Sequence, residues 1–147
     1  MPKLLIVYNS QTGNTEKMAK AVAEGAKSAA NVEITLTYHA RPEDLAETDA
    51  IIVGSPTYHH DMTLDIKNLL EEAAKAKISL KGKIGAAFGS YGWSGEAPRL
   101  VLEILKNRFE MKIPEQPLLI KYSPDEEGLE ACKRLGKRIA EETSKSL

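Results

Sequence analysis

The sequence predicts an α/β fold: a three-layer sandwich around a five-stranded parallel sheet in the order 2-1-3-4-5. Three observations predict it. Short apolar runs alternate along the chain with longer stretches of helical period. Four of those runs are apolar almost throughout, as strands covered on both faces are. The remaining run alternates apolar with polar residues, so one of its faces is wet and it belongs at an edge.

In chain order, the first buried strand is Leu4 to Tyr8. Met18, Val22, Gly25 and Ala29 then recur at helical spacing and mark the inner face of a helix opening near Thr15. Val32 to Thr37 is the edge strand, with Val32, Ile34 and Leu36 inward. Arg41 to Glu47 is short and polar and predicts a turn with a brief helical piece. Ala50 to Gly54 is the third strand, followed by a helix carrying Leu69, Leu70, Ala73 and Ala74 on its apolar side. Lys83 to Gly89 is the fourth, followed by a helix whose face is Leu100, Val101, Ile104, Leu105 and Phe109. Leu118 to Tyr122 reads as a fourth fully buried run. The final helix buries Leu129, Cys132, Leu135 and Ile139, and Ser123-Pro124-Asp125-Glu126 reads as its capping box, with Ser123 as the cap. Alternating strands and helices require right-handed crossovers, hence parallel strands. No linker, repeat or low-complexity stretch interrupts the pattern, so residues 1–147 read as one domain.

Composition narrows the function. Apolar residues make up 42% and charged residues 28%, an ordinary globular balance. The formal net charge of −1 leaves no basic excess to displace counterions, which argues against nucleic acid as a partner. No apolar run is long enough to span a bilayer, and Met1-Pro2-Lys3 leads straight into a strand without the layout of a signal peptide. The expectation is a cytoplasmic, monomeric protein with no membrane attachment. Cys132 is the lone cysteine and has no metal-ligand spacing around it; on the inner face of a helix it reads as a small buried hydrophobe.

In a sheet of this order, ligands sit beyond the carboxyl ends of the strands, at the switch point between the first and third. The loops after strands one, three and four should therefore converge. The first is Ser10-Gln11-Thr12-Gly13-Asn14-Thr15, hydroxyls and amides entering a helix N-terminus whose free N–H groups suit a phosphate. It holds no Lys or Arg, so neutral donors alone would bind that phosphate. The other two are Gly54-Ser55-Pro56-Thr57-Tyr58-His59-His60-Asp61-Met62 and Gly89-Ser90-Tyr91-Gly92-Trp93-Ser94-Gly95-Glu96. Aromatics are only 5% of the chain, yet the sole Trp and two of five Tyr lie here, a pattern that fits a flat ring held by stacking. Glycines 89, 92 and 95 let the backbone come close to that ring. Phosphate at one loop and a planar ring at the others describe a mononucleotide. No G-x-G-x-x-G turn and no G-x-x-x-x-G-K-[ST] loop is present, which argues against a dinucleotide or a triphosphate. A receiver domain would need an acid where the third strand ends in Gly54.

Across essentially the whole chain, these three loops in this order resemble the flavodoxins. Ser10 to Thr15 looks like their phosphate loop, and Phe88-Gly89-Ser90-Tyr91-Gly92-Trp93 looks like the ring-binding loop of their short-chain branch. Ser90 to Ala97 is most similar to the flavodoxin-like domain of flavodiiron proteins, and Pro56-Thr57 also occurs there and in flavodoxin-like quinone reductases. The resemblance implies a flavodoxin-like fold, non-covalent FMN and electron transfer between redox partner proteins, a reductase and an acceptor. It implies Ser10, Thr12, Asn14 and Thr15 at the phosphate, with backbone N–H groups from Gln11 through Gly13 to Thr15. Trp93 would cover one ring face, Pro56, Thr57, Tyr58, His59 and His60 the other face and the edge bearing N5, and Ser90, Tyr91 and Gly92 the pyrimidine end, with Gly89 and Gly95 in the same loop.

The chain departs from the resemblance twice. It is near neutral where strongly reducing flavodoxins are acidic, so weaker steering and a less negative potential are expected. It also has Tyr58-His59-His60 where the family often places Gly. The two histidines have two readings, an imidazole that titrates with the flavin or a pair of exposed loop residues; no carboxylate spacing makes them a metal pair. The competing functions are an FMN-dependent NAD(P)H:quinone oxidoreductase, which would need extra segments over the ring, and a stand-alone flavin domain serving a flavodiiron-type partner.

Overall fold

The computed structural model describes residues 1–29 and 31–145. The elements run β1 (Lys3–Tyr8), α1 (Asn14–Lys27), β2 (Glu33–Thr37), α2 (Pro42–Ala46), β3 (Ala50–Gly54), α3 (Leu64–Lys75), β4 (Ile84–Tyr91), α4 (Glu96–Asn107), β5 (Leu118–Lys121) and α5 (Glu126–Lys145). All strand pairs are parallel, and the order is β2-β1-β3-β4-β5. The predicted topology is therefore the observed one.

Alternation along the strands divides the core into two layers. Leu4, Ile6 and Tyr8 of β1 point to one face, which Met18, Val22 and Ala26 of α1 and Cys132, Leu135 and Ile139 of α5 cover. Leu5 and Val7 point to the other, covered by Ile66, Leu69 and Leu70 of α3 and Val101 and Leu105 of α4. Cys132 is fully buried, and that burial pushes its thiol up to about 12. The thiolate, its reactive form, is thereby suppressed.

Three sequence expectations change. Leu118 to Tyr122 is not a fully buried strand: β5 is the second edge and alternates, with Leu118 and Ile120 packed on the α1–α5 layer while Leu119 and Lys121 face away. An apolar run of three, Leu118 to Ile120, cannot by itself tell an edge from a centre. The cap of α5 is Asp125, not Ser123: its carbonyl accepts from Leu129 N–H and its carboxylate from Gly128 N–H at 2.8 Å. Pro124 thus precedes the cap instead of following it. Finally, β4 continues through Ser90 and Tyr91, two residues past the expected end, because Tyr91 still pairs with Lys121.

Candidate functional site

The carboxyl ends of β1, β3 and β4 meet as the topology requires, and hydrogen bonds between their loops hold them together. The buried hydroxyls of Thr15 and Ser90 lie 2.7 Å apart, tying the start of α1 to the end of β4. Thr57 N–H donates to the Ser90 carbonyl at 3.3 Å, and Ser55 N–H to the Phe88 carbonyl at 3.0 Å. The Thr57 hydroxyl accepts from Ala97 N–H at 3.0 Å. Gly95, at the N-cap of α4, has no side chain to do that, so the neighbouring loop caps the helix. Ser55 Oγ accepts from Thr63 N–H and so anchors the other end of its own loop.

The first loop folds on itself. Ser10 Oγ accepts from the N–H groups of Gly13 and Glu16, each at 3.2 Å, and the Ser10 carbonyl accepts from Tyr38 Oη at 2.9 Å. Tyr8 Oη donates to Glu16 at 3.0 Å, which engages the carboxylate nearest this helix end. Burial, then that carboxylate, raise the Tyr8 phenol above its ordinary value. Gly13 holds φ at 91°, in the left-handed region that favours glycine, and an added Cβ would meet nothing within 4 Å. The N–H groups of Gln11, Thr12, Asn14 and Thr15 donate to no described residue. They form an open cradle of donors at the positive end of α1. Thr15 offers this cradle its N–H, since its hydroxyl is engaged with Ser90.

Beside the cradle is a pocket of ≈ 200 Å³, lined by Thr12, Asn14, Pro56, Thr57, Tyr58, Ser90, Tyr91, Gly92 and Tyr122. All but Tyr122 are residues singled out in the sequence. Tyr122 follows β5 at the same sheet edge, so a rule that looks only to the loops after strands one, three and four passes over it. Gly89 spends its lack of a side chain on the neighbouring loop: a Cβ there would sit 1.9 Å from the Ser55 carbonyl oxygen. Trp93, next in the chain to Gly92 of the pocket lining, has 90% of its surface exposed.

Tyr58 and Asp61 exchange two backbone hydrogen bonds of 3.0 Å, closing a tight turn over His59 and His60. Both central residues have positive φ, 51° and 63°, as a type I′ turn demands, yet neither is Gly, Asn or Asp. His60 Nδ1 lies 2.8 Å from Glu96 Oε2 and 3.1 Å from Ser94 Oγ. The Ser94 hydroxyl and the His60 imidazole hold the Glu96 carboxyl down at about 2. Lys67 pairs with Asp61 from α3. Burial opposes ionisation of Asp61, but the Lys67 ammonium and Met62 N–H outweigh it and leave that carboxyl below its usual range. Sequence reasoning missed the His60–Glu96 pair because its members lie 36 residues apart. Among the described residues no cluster of His, Cys, Asp or Glu could hold a metal ion.

The flavodoxin family model matches residues 6–136. The chain belongs to the flavodoxin family. A flavodoxin of Aquifex aeolicus is 34% identical over 163 residues, covering 96% of this chain and 86% of its own length. A type A flavoprotein of Rhodobacter capsulatus is 40% identical over 144 residues, covering 94% of this chain but 32% of the relative. The chain thus spans about a third of the length of several curated relatives it matches. Among solved structures, a flavodoxin from the domain Archaea superimposes with a TM-score of 0.86 at 40% identity, covering 97% of this chain and 99% of that one. The rubredoxin oxygen:oxidoreductase of Desulfovibrio gigas gives 0.84 at 28% identity, over 97% of this chain and 36% of that one.

The family's cofactor is FMN. The residues present fit it: the cradle offers neutral N–H donors for a phosphate, the pocket adjoins that cradle, and Trp93, next in the chain to Gly92 of its lining, is an exposed ring.

Proposed function

We propose that the chain is an FMN-binding electron-transfer protein, carrying electrons between a reductase and an acceptor protein. The observation that carries this reading is the cradle of open N–H groups at Gln11, Thr12, Asn14 and Thr15, in a loop without a single cationic side chain. Ser10, Gln11, Thr12, Gly13, Asn14 and Thr15 hold the phosphate. Trp93 stacks on one face of the ring and excludes water from it; Pro56, Thr57 and Tyr58 line the other side. Ser90, Tyr91 and Gly92 receive the polar end of the ring, with Gly89 and Gly95 shaping their loop, and His59 and His60 flank the outer edge. When bound, FMN supplies one- and two-electron redox chemistry. A phosphate with no cation beside it keeps its negative charge near the ring, which opposes added electrons and lowers the potential. Among the described residues no helix is long and apolar enough to cross a membrane. The near-neutral charge argues against nucleic acid, and we read the chain as a cytoplasmic monomer whose partners are redox proteins.

A second reading has its own support. Relatives such as the anaerobic nitric oxide reductase flavorubredoxin of Escherichia coli contain a matching segment within a longer chain, at 32% identity over 146 residues and 29% of that length. The same site then serves a separate flavodiiron-type partner. The test common to both is a titration with FMN followed by stepwise reduction without oxygen, followed by absorption. One flavin per chain and two resolved one-electron steps are expected. A single concerted two-electron step transfers the case to the quinone oxidoreductase, and an absence of bound flavin contradicts every one of these readings.

A further inference from the structure

The turn after β3 is the least relaxed segment of the site. Of the six described non-glycine residues with positive φ, two are its adjacent central residues, His59 and His60. L side chains disfavour that region, and although Asn, Asp and His enter it more readily than others, two such residues in a row carry a cost. Rotating the peptide between them would return His60 to negative φ but leave His59 at the first central position of a type II′ turn, which calls for glycine, so the turn has no unstrained form of its own. Contacts from outside the turn therefore decide how firmly it holds its shape.

We propose that His60 and Glu96 form a positioning pair that clamps the Tyr58–Asp61 turn to the start of α4, and that the clamp tunes the potential of flavin bound beside the turn. The second half rests on the FMN reading above. The geometry supports the clamp from several sides. His60 Nδ1 contacts both Glu96 Oε2 and Ser94 Oγ, so the imidazole is fixed between a carboxylate and a hydroxyl of the β4–α4 loop. The far end of the clamp is rigid, because Glu96 opens α4 and the next residue is capped by Thr57, from the loop that carries the turn. Asp61 is held from α3 by Lys67. The charged groups around the turn are therefore Glu96 of α4 on one side and the Asp61–Lys67 pair on the other. Glu96 Oε1 is buried without a hydrogen-bond partner among the described residues, so the carboxylate leans on His60 and Ser94 for compensation. With its carboxyl held at about 2, Glu96 remains an anion throughout the range in which histidines change charge.

The test compares the unaltered chain with Glu96→Gln, His60→Asn and the double variant. Asparagine enters positive φ at least as readily as histidine, so any quickening in His60→Asn reports the lost imidazole contact and not added strain. In the flavin-free full chain, amide exchange at Tyr58 and Asp61 should quicken about threefold in either single variant, the order expected of an exposed ion pair. The double variant should add nothing further. In the FMN-loaded chain the midpoint potentials should shift in the same direction in both single variants. Unchanged amide exchange overturns the clamp. Quicker exchange with unchanged potentials overturns its link to the flavin. If the unaltered chain takes up no FMN, the functional reading fails instead, and the flavin-free exchange still decides the clamp.

Discussion

The phosphate side and the ring side of this site are built on opposite principles. On the phosphate side the loop from Ser10 to Thr15 closes on itself through Ser10, is tied to β4 by buried Thr15 and Ser90, and leaves only neutral N–H donors open. On the ring side Trp93 is nearly fully exposed, two histidines hold strained backbone, and the braces are ion pairs at the surface. The difference teaches which side is made before the ligand arrives. Buried neutral hydrogen bonds are hard to break without leaving a group unsatisfied, so the cradle is preorganised. Exposed ion pairs are weak and adjustable, so the ring side is where the protein can respond to what it binds.

Substitutions can break this contrast in order of expected size. Gly89→Ala places a Cβ 1.9 Å from the Ser55 carbonyl oxygen, where backbone must move, and should destabilise the chain by about 3 kcal/mol in urea unfolding. Thr15→Val removes the buried bond to Ser90 and strands that hydroxyl, for about 2 kcal/mol and a weaker grip on FMN. On the ring side the order reverses: Trp93→Ala should leave unfolding within about 0.5 kcal/mol, since the side chain is almost fully exposed, yet weaken FMN binding about tenfold. His59→Gly should relieve positive φ and stabilise the flavin-free chain by about 1 kcal/mol. A loss of stability there would mean that the imidazole makes a contact the turn depends on.

The smallest effect is one of pH. Glu96 ionises below its ordinary 4.5, so its contribution is complete above that value and is lost as pH falls through about 2. Carbon chemical shifts of its carboxyl should therefore not move at mildly acid pH. A midpoint near 4.5 would show that His60 and Ser94 do not hold it in solution.

Most of the fold was legible because it rests on local pattern. The alternation of Val32, Ile34 and Leu36 is enough by itself to put β2 at an edge, where it lies. Where the reading slipped, non-local facts decided. Leu118 to Tyr122 is apolar enough for a central strand, but its neighbour on one side is solvent. Ser123 and Asp125 are both good caps, and only the direction of entry into α5 selects Asp125. In the site, sequence located the loops and most pocket-lining residues but not the bonds between loops. Thr57 capping α4, Ser90 on Thr15 and His60 on Glu96 each join residues at least 36 apart, and no spacing rule reaches that far.

The neutral cradle is the central claim, and the salt dependence of FMN binding tests it most directly. Titrating the unaltered chain with FMN from low to molar salt should give one flavin per chain with nearly constant affinity, because neutral N–H donors are little screened. An affinity that falls steeply with salt would contradict the account, since it would show lysines or arginines, and not the loop from Ser10 to Thr15, holding the phosphate.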